Sequence, residues 1–370
     1  MQSWRDRTSA NGGIVPDNIG LTGKIGEYMD GKWWGGYYGW RWPHGGSVLL
    51  EAITIAGTNG KLLTGEDSMM DLARSQIDLL WSLRQQSGGE IQVPYRHTDS
   101  GWADYRLASP ELAIQLWNVS QSSADLDRIL RLSNQDQWDR QPPPRGNGKS
   151  PNAGWFRFVQ GHFPDYPEKI LHASYREVCR ALESIRQDSK EAIYTQHWIH
   201  RDPVICAALT QLTIGGSYPI YHGGLLHTLV RYYDFNQQQP GLPEDVAALI
   251  DGIDNNKFRL HLVNLSPLHS RRLVIQAGMF GEHKFSEVSI TSPDVWQSIQ
   301  SKWLQILLLP GTELKLHIDM DRYVGIPSYD TLWKSRESDL TTIKLRNPQV
   351  DPGSIIFEWK EDHPPREDKQ

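Results

Sequence analysis

The spacing of apolar residues changes once along this chain, near Asp251, and that change restricts the folds it can adopt. Before Asp251, apolar residues recur at intervals of three and four, as on the buried face of an amphipathic helix. After it, short runs such as 258–264 and 313–319 alternate residue by residue, as in half-buried strands. The pattern predicts an α+β protein with more than one domain, helices first and antiparallel strands second.

Helix-start signals divide the first part. Thr64-Gly-Glu-Asp67 resembles a capping box ahead of an apolar series that runs from Met69 to Leu83. Ser109-Pro-Glu111, and Ser122 with Asp125, are typical of two further helix starts. More helices are predicted at about 167–185, 203–212, 223–233 and 243–250. Long loops rich in Gly, Pro and aromatic residues separate them, so we interpret this part as a stack of helical hairpins.

The second part predicts an antiparallel sheet or sandwich. Its strands are expected at 258–264, 272–277, 303–309 and 313–319, with Pro-containing turns between them. The neighbours Glu282 and His283 are interpreted as a loop ion pair. We therefore divide the chain into an aromatic-rich segment at 1–45, helical hairpins at 46–253, a β-sandwich at 254–347, and a terminal strand with a charged tail at 348–370.

Composition and charge exclude several classes of partner. The 370 residues carry a net charge of −6, with no basic stripe of the kind that binds nucleic acid or an anionic membrane. There is no apolar run of membrane-spanning length and no signal-like start. The first residues run directly into a motif-rich loop, so we expect the chain to be part of a longer protein, which leaves its localisation and oligomeric state open.

Cysteine usage gives no framework for the fold. Cys179 and Cys206 are the only two, and their spacing matches neither a disulfide scaffold nor a cysteine metal site. Both lie on apolar helical patterns, so we expect both to be buried. His197 and His200 are spaced like two ligands on one helical face, but no third ligand follows at a recognisable spacing. We predict neither a metal nor a cofactor.

The segment from Tyr28 to His44 has an unusual density of aromatic residues. A core would favour aliphatic side chains, which this segment lacks, and Gly35, Gly36 and Gly39 between the rings allow close backbone approach. Flat rings beside hydrogen-bonding groups match a sugar, which offers a C–H face and a rim of hydroxyls. A Trp-rich packing cluster between helices is the alternative. The rings are Tyr28, Trp33, Trp34, Tyr37, Tyr38, Trp40 and Trp42, and they lie beside Asp30, Lys32, Arg41 and His44.

Four more aromatic and polar patches follow, each in or beside a predicted loop. If successive hairpins form a ring, loops at one end converge on one cleft, where these patches would meet. They are Tyr95, Arg96, His97, Trp102, Asp104 and Tyr105; Trp155, Phe156, Arg157, His162, Asp165 and Tyr166; Tyr194, His197, Trp198, His200 and Arg201; and Tyr218, Tyr221 and His222.

Helical hairpins with WWGGYYGWRWPH-type loops, followed by a β part, resemble the α/α-toroid carbohydrate-active enzymes. This group includes the six-hairpin glycosidases and the toroid polysaccharide lyases. The resemblance is architectural and covers roughly residues 20 to 335. It implies an incomplete (α/α) toroid followed by an antiparallel β-sandwich, acting on an oligo- or polysaccharide.

Lyase chemistry on a uronate-containing glycan needs an acid, a base and a group that neutralises the sugar carboxylate. Tyr and His commonly serve as acid and base, with Arg as the neutraliser. Our candidate catalytic residues are Tyr38, Arg41, His44, Asp30 and His97. Our candidate substrate-binding residues are Trp33, Trp34, Tyr37, Trp40, Trp42, Tyr95, Arg96, Trp102, His197, Tyr221 and His222.

Two other functions stay open at this stage. A glycoside hydrolase would use Asp30 with a second carboxylate, which the sequence does not identify. A non-catalytic glycan-binding protein would use the same rings without turnover.

Overall fold

The computed structural model describes residues 2–41, 43–133, 135–139, 152–188, 202–218, 223–290 and 295–333. Contacts divide the chain into two units. The first holds Met1–Thr228 and Ile250–Asn255, and the second holds Leu229–Leu249 and the described residues after Asn255. The first is mainly helical and the second is built of antiparallel strands, so the predicted α+β class is confirmed.

Eight α-helices lie within the described residues. Short 3₁₀ turns at Asp67–Met70 and Gln135–Asp139 accompany them. The helices are α1 Gln2–Ala10, α2 Ser47–Thr64, α3 Asp71–Ser82, α4 Glu111–Ser120, α5 Ser123–Leu130, α6 Asn152–Val159, α7 Tyr166–Arg186 and α8 Ala207–Ile214.

Neighbouring helices pack on one another in sequence order. Helix α2 contacts α3 and α4, α4 contacts α5 and α6, and α7 contacts α6 and α8. Trp117 of α4 meets Phe156 of α6 edge-on, with ring centroids 5.1 Å apart. Trp155, Phe156 and Tyr166 are buried in this core. The third aromatic patch was predicted as a loop, but these rings lie on α6 and α7, where they fill the interior.

The predicted capping box at Thr64 is wrong, although the helix it introduced is present. Thr64 is the last residue of α2, and Gly65 ends that helix in the left-handed conformation, with φ 74°. The Thr64 hydroxyl accepts a hydrogen bond from the Glu66 amide. The predicted start at Ser122 is confirmed, because its hydroxyl accepts from the Asp125 amide at 3.2 Å.

The surface of the helices differs from expectation at both cysteines. Cys179 of α7 and Cys206, just before α8, are exposed rather than buried. The apolar pattern of α7 does not mark a buried face along the whole helix, because Leu171, Leu182 and Ile185 are exposed as well. No helix in the described ranges has both the length and the apolar character required to cross a bilayer.

A three-stranded sheet replaces the loop predicted around Tyr95. Its strands are β1 Gln85–Ser87, β2 Glu90–Thr98 and β3 Gly101–Leu107, in the order β1-β2-β3. The β2–β3 turn ends at Gly101, whose φ of 100° suits glycine. The antiparallel register sets His97 opposite Trp102.

The strands that follow form two antiparallel sheets. One has the order β10-β9-β12-β7-β6 and the other β11-β8-β4-β5. All four strands predicted here are present. The strands are β4 Val230–Asp234, β5 Gln239–Pro240, β6 Val246–Asp254, β7 Lys257–Asn264, β8 Arg271–Ala277, β9 Lys284–Ile290, β10 Trp296–Ser301, β11 Trp303–Leu308 and β12 Glu313–Asp321.

The helices predicted at 223–233 and 243–250 are wrong, because strands β4 and β6 occupy these segments. Residues 230–234 pair with β8, and almost all of them are buried, which suits their β-branched and aromatic side chains. In the second segment, sheet pairing overrides the helical propensity of Ala and Leu. The strands therefore begin well before the predicted boundary at residue 253.

A buried carboxylate joins α3 to α5. Asp125 is fully buried and receives Nη2 of Arg74 at 2.6 Å and Nη1 of Arg128 at 2.8 Å. The Ser120 hydroxyl donates to the same carboxylate at 2.6 Å. Arg74 also pairs with exposed Asp71 at 3.1 Å. Because Asp125 compensates two cations away from water, it matters more to the stability of this unit than Asp71 does.

Replacing Asp125 with Ala should lower the free energy of unfolding by about 3 to 5 kcal/mol, since two arginines lose a buried partner. Asp71→Ala is the matched control: it removes an exposed carboxylate from the same arginine and should cost about 0 to 1 kcal/mol. Urea unfolding followed by helical circular dichroism measures both. Equal losses in the two variants would contradict this account.

A second buried carboxyl lies in the loop between β8 and β9. Glu282 is 1 % exposed and accepts the Phe280 amide at 2.8 Å. Burial raises its pKa from 4.5 to about 7, against a smaller opposing effect of that amide and of Arg322. His283 Nδ1 accepts the Tyr323 amide, which leaves its Nε2–H facing Glu282 at 3.7 Å. A Cβ on Gly278 would overlap the Glu282 carboxyl, so a glycine is required there.

A raised carboxyl pKa means that the folded state holds the Glu282 proton more tightly than the unfolded state does. Its stabilising contribution is therefore complete below 4.5 and is lost as the pH rises through about 7. In the unaltered protein the free energy of unfolding should therefore fall between about pH 5 and about pH 8. In Glu282→Gln this fall should be smaller by up to about 3 kcal/mol.

Hydrogen exchange of the β8 amides, corrected for intrinsic rates, reports this stability. Glu287→Gln, on the exposed face of β9, is the control. Its stability should change with pH as in the unaltered protein. If the stability of Glu282→Gln falls with pH as steeply as that of the unaltered protein, Glu282 is not the source of the pH dependence.

Candidate functional site

The aromatic loop, residues 33–44, docks against strand β2. The His97 amide donates to the Trp40 carbonyl at 2.6 Å, and the Gly46 amide donates to the Tyr95 carbonyl at 2.8 Å. A Cβ on Gly45 would overlap the Tyr95 ring, so the chain passes β2 at a distance that only glycine permits. The structure thus brings together the first two aromatic patches, which lie far apart in sequence.

Three indoles surround His97 and form what we call the indole group. The ring centroids of Trp33, Trp34 and Trp102 lie 4.8, 5.1 and 5.1 Å from that of His97. All four side chains are half-buried. Burial lowers the pKa of His97, with Asp99 acting in the opposite direction, so the imidazole is neutral near pH 7. Its buried Nδ1 has no hydrogen-bond partner among the described residues.

A second cluster, the tyrosine–histidine group, lies on the same loop. Tyr38 stacks on His44 with centroids 4.8 Å apart, and Tyr37 meets His44 edge-on at 5.0 Å. Tyr37 and Tyr38 are 52 % and 61 % exposed. The guanidinium of Arg41 lies 6.0 Å from the Tyr37 ring centre. The cluster therefore presents two phenols, an imidazole and a cation at the surface.

Tyr95 links this group to β2 and to the start of α2. Its hydroxyl lies 3.1 Å from that of Ser47, which donates to the His44 carbonyl at 2.9 Å. The Arg106 guanidinium lies over the Tyr95 ring, 3.6 Å from the ring centre. Tyr95 therefore braces the backbone of His44.

Trp40 packs inside the protein and is not on a ligand-binding surface. It is fully buried, its indole N–H donates to the Val15 carbonyl at 2.7 Å, and its ring meets Trp102 edge-on at 5.2 Å. This corrects the expectation that Trp40 contacts substrate. For this one ring, the alternative of a packing cluster describes the structure.

The charged side chains near the loop are mostly engaged with one another. Lys32 pairs with Asp99 at 2.7 Å, and Asp104 pairs with Arg106 at 2.6 Å and lies 3.9 Å from Arg96. Arg41 forms no ion pair with any carboxylate in the described part of the chain.

Among the acids of the aromatic segment, only the candidate Asp30 remains exposed without a described contact. It lies at the turn before Gly31, with φ 52°. Glu27, just before the run of rings, accepts hydrogen bonds from the amide and hydroxyl of Thr22.

The sequence analysis missed Asp17, which organises the loop from beneath. Its carboxylate accepts the amides of Gly35, Gly36 and Trp40 at 3.3, 3.1 and 2.5 Å. Burial raises its pKa, and the three N–H groups act in the opposite direction. A Cβ on Gly39 would overlap the carboxylate. The only signal available from sequence was an acid in a Pro-Asp-Asn turn.

Four predicted binding residues, Trp42, His197, Tyr221 and His222, lie outside the described residues, and so does His200. Within the described ranges, no group of three or more His, Cys, Asp or Glu is arranged to hold a metal ion.

A separate concavity lies between α2, α4, Ser217 and the segment 223–227. It is lined in part by Thr54, Thr58, Gln115 and Ser217. Gln115 accepts the Ser217 hydroxyl at 2.8 Å and donates to the Tyr218 carbonyl at 2.7 Å. The hydroxyls of Thr54 and Thr58 donate to carbonyls of their own helix, those of Leu50 at 2.8 Å and Ile55 at 3.2 Å.

Gly39→Ala should destabilise the loop by about 1 to 3 kcal/mol, because the added methyl group overlaps the half-buried Asp17 carboxylate. Gly36→Ala is a milder change, because its Cβ would lie 3.3 Å from the carboxyl carbon of Asp17. It should lower the stability less. Thermal unfolding and near-ultraviolet circular dichroism of the tryptophans measure both effects. A Gly39→Ala protein as stable as Gly36→Ala would contradict the packing described here.

Comparison with known proteins identifies a family for this chain. No curated protein matches the chain. A family model described as a domain of unknown function, DUF8034, matches residues 1–93 and 83–210. The matched ranges include the aromatic loop, Asp17 and the β2–β3 hairpin, and together they cover more than half of the 370 residues. The chain therefore belongs to the DUF8034 family.

Proposed function

We propose that this protein binds a uronate-containing glycan at the aromatic loop and cleaves its glycosidic bonds by β-elimination. The observation that carries the proposal is the tyrosine–histidine group, in which Tyr38 stacks on His44 beside exposed Arg41. Because Arg41 has no carboxylate partner among the described residues, it is available to pair with the carboxylate of a sugar.

The reaction needs a neutralising cation, a base and an acid, and these three side chains supply them. Arg41 pairs with the uronate carboxylate and stabilises the negative charge that develops there when C5 loses its proton. One member of the Tyr38–His44 pair takes the C5 proton. The C5–H electrons form the C4–C5 double bond, the bond from C4 to the glycosidic oxygen breaks, and the other member of the pair protonates the leaving oxygen.

The indole group supplies the apolar surface that a sugar ring needs. Trp33, Trp34 and Trp102 are half-buried, so each is held in place and still reaches solvent. Stacking of a pyranose C–H face on such rings orients the chain before reaction. His97, neutral between these rings, is a further proton acceptor or hydrogen-bond partner for a sugar hydroxyl.

The proposal extends to the finer fold. Helices that pack on their neighbours in sequence order suit the hairpins of an (α/α) toroid. Two antiparallel sheets, with alternating burial along β7 and β12, suit a β-sandwich. This is the architecture of the toroid polysaccharide lyases and the six-hairpin glycosidases.

Two alternatives receive different support. A hydrolase needs two carboxylates at the cleavage point, and around the loop Asp17, Glu27 and Asp104 are already engaged. That engagement weighs against hydrolysis. A non-catalytic glycan-binding protein is favoured by the high exposure of Tyr37 and Tyr38, which suits an open surface.

Tyr38→Phe and His44→Ala test the proposal directly. Incubation with a panel of polyuronates should yield 4,5-unsaturated products, detected by their ultraviolet absorbance. Each variant should lose about 10² to 10⁴ in turnover, the usual contribution of an acid–base group. Tyr175→Phe, a surface tyrosine on α7, is the matched control and should react normally.

Turnover at the original rate in both Tyr38→Phe and His44→Ala would refute the catalytic assignment. Binding without product on every polyuronate would support the glycan-binding alternative.

A further inference from the structure

We propose that Asp17 is the positioning residue of this site, which rests on the proposed function for the identity of the ligand. Its carboxylate fixes the backbone between Trp34 and Arg41 and thereby orients Tyr37, Tyr38 and Arg41. Asp17 itself touches no ligand, because backbone amides occupy both of its oxygens.

The contacts require a carboxylate at this position. Oδ1 accepts the Gly36 amide, and Oδ2 accepts the amides of Gly35 and Trp40. All three neighbours are donors, so an amide side chain would set its own N–H₂ against at least one of them. Gly39 lies so close that a Cβ there would overlap the carboxylate, so the loop also needs a glycine at that position.

Asp17 is in turn anchored to the helical core. The buried Gln76 of α3 accepts the Val15 amide at 2.9 Å and donates to the Gly13 carbonyl at 2.9 Å. The Val15 carbonyl receives the indole N–H of Trp40. The segment before Asp17 is thus fixed to a helix, and the loop is fixed to that segment.

The hydrogen bonds that Asp17 accepts also explain how exposed residues of the loop keep a defined arrangement. Tyr37 and Tyr38 are more than half exposed, and surface side chains of this kind ordinarily sample several rotamers. Their backbone lies between the Gly36 and Trp40 amides that Asp17 binds. Losing Asp17 should therefore loosen these residues while the helices stay folded.

The experiment compares Asp17→Asn with Asp127→Asn, which makes the same chemical change at an exposed position on α5. Three properties are measured: thermal unfolding by helical circular dichroism, hydrogen exchange at the Gly36 and Trp40 amides, and affinity for polygalacturonate as the probe. In Asp17→Asn the helices should unfold as in the original protein. The two amides should exchange at least about tenfold faster, and affinity should fall about tenfold to a hundredfold. Asp127→Asn should change none of these.

Unchanged amide exchange in Asp17→Asn would overturn the proposal. Simultaneous loss of the helical transition would also overturn it, since Asp17 would then support the whole unit rather than position the loop. Gly39→Ala is a second variant of the same contact, because its methyl group displaces the carboxylate without removing it, and it should also speed exchange of the Gly36 and Trp40 amides. Failure of the original protein to bind any polyuronate would reject the proposed function, whereas amide exchange would still decide the role of Asp17.

Discussion

The site depends on one half-buried interaction, the acceptance of three backbone amides by Asp17. A loop with several glycines and few aliphatic residues cannot hold its shape by packing alone, because it buries little apolar surface of its own. The carboxylate supplies the missing constraint by closing 35–40 around itself. Docking of Trp40 and Gly46 onto β2 then fixes the loop against the hairpin. The exposed phenols and Arg41 take their positions from these buried contacts.

Burial divides the aromatic residues of this chain into two kinds. Trp40, Trp117 and Trp155 are almost fully inaccessible and serve as core, whereas Trp33, Trp34 and Trp102 are half-buried around His97. Trp40 and the half-buried rings occur in similar surroundings in the sequence, with glycines and charged residues nearby. Burial distinguishes them: full burial marks a structural ring, and the indole N–H of Trp40 is also satisfied by the Val15 carbonyl. Charge pairing likewise distinguishes Arg41 from its paired neighbours.

Local signals in the sequence predicted much of the fold. Ser122 as a cap and the alternation in 258–264 and 313–319 predicted their elements correctly, because propensity and tertiary packing agree there. The segment 243–250 was misassigned because sheet pairing overrode helical composition. The hairpin at 90–107 was missed although a turn ending in Gly101 marks it. Of the site, the exposed rings were predicted, whereas Asp17 acts through contacts that no spacing reveals.

The central claim is that the half-buried indoles of the loop and hairpin form a carbohydrate-binding surface. Indole N–H resonances, recorded by ¹H–¹⁵N NMR during titration with a uronate oligosaccharide, test it most directly. The account predicts that the signals of Trp33, Trp34 and Trp102 shift in a saturable way while those of Trp117 and Trp155 stay fixed. Shifts confined to the core tryptophans, or no shift in any indole at saturating oligosaccharide, would contradict it.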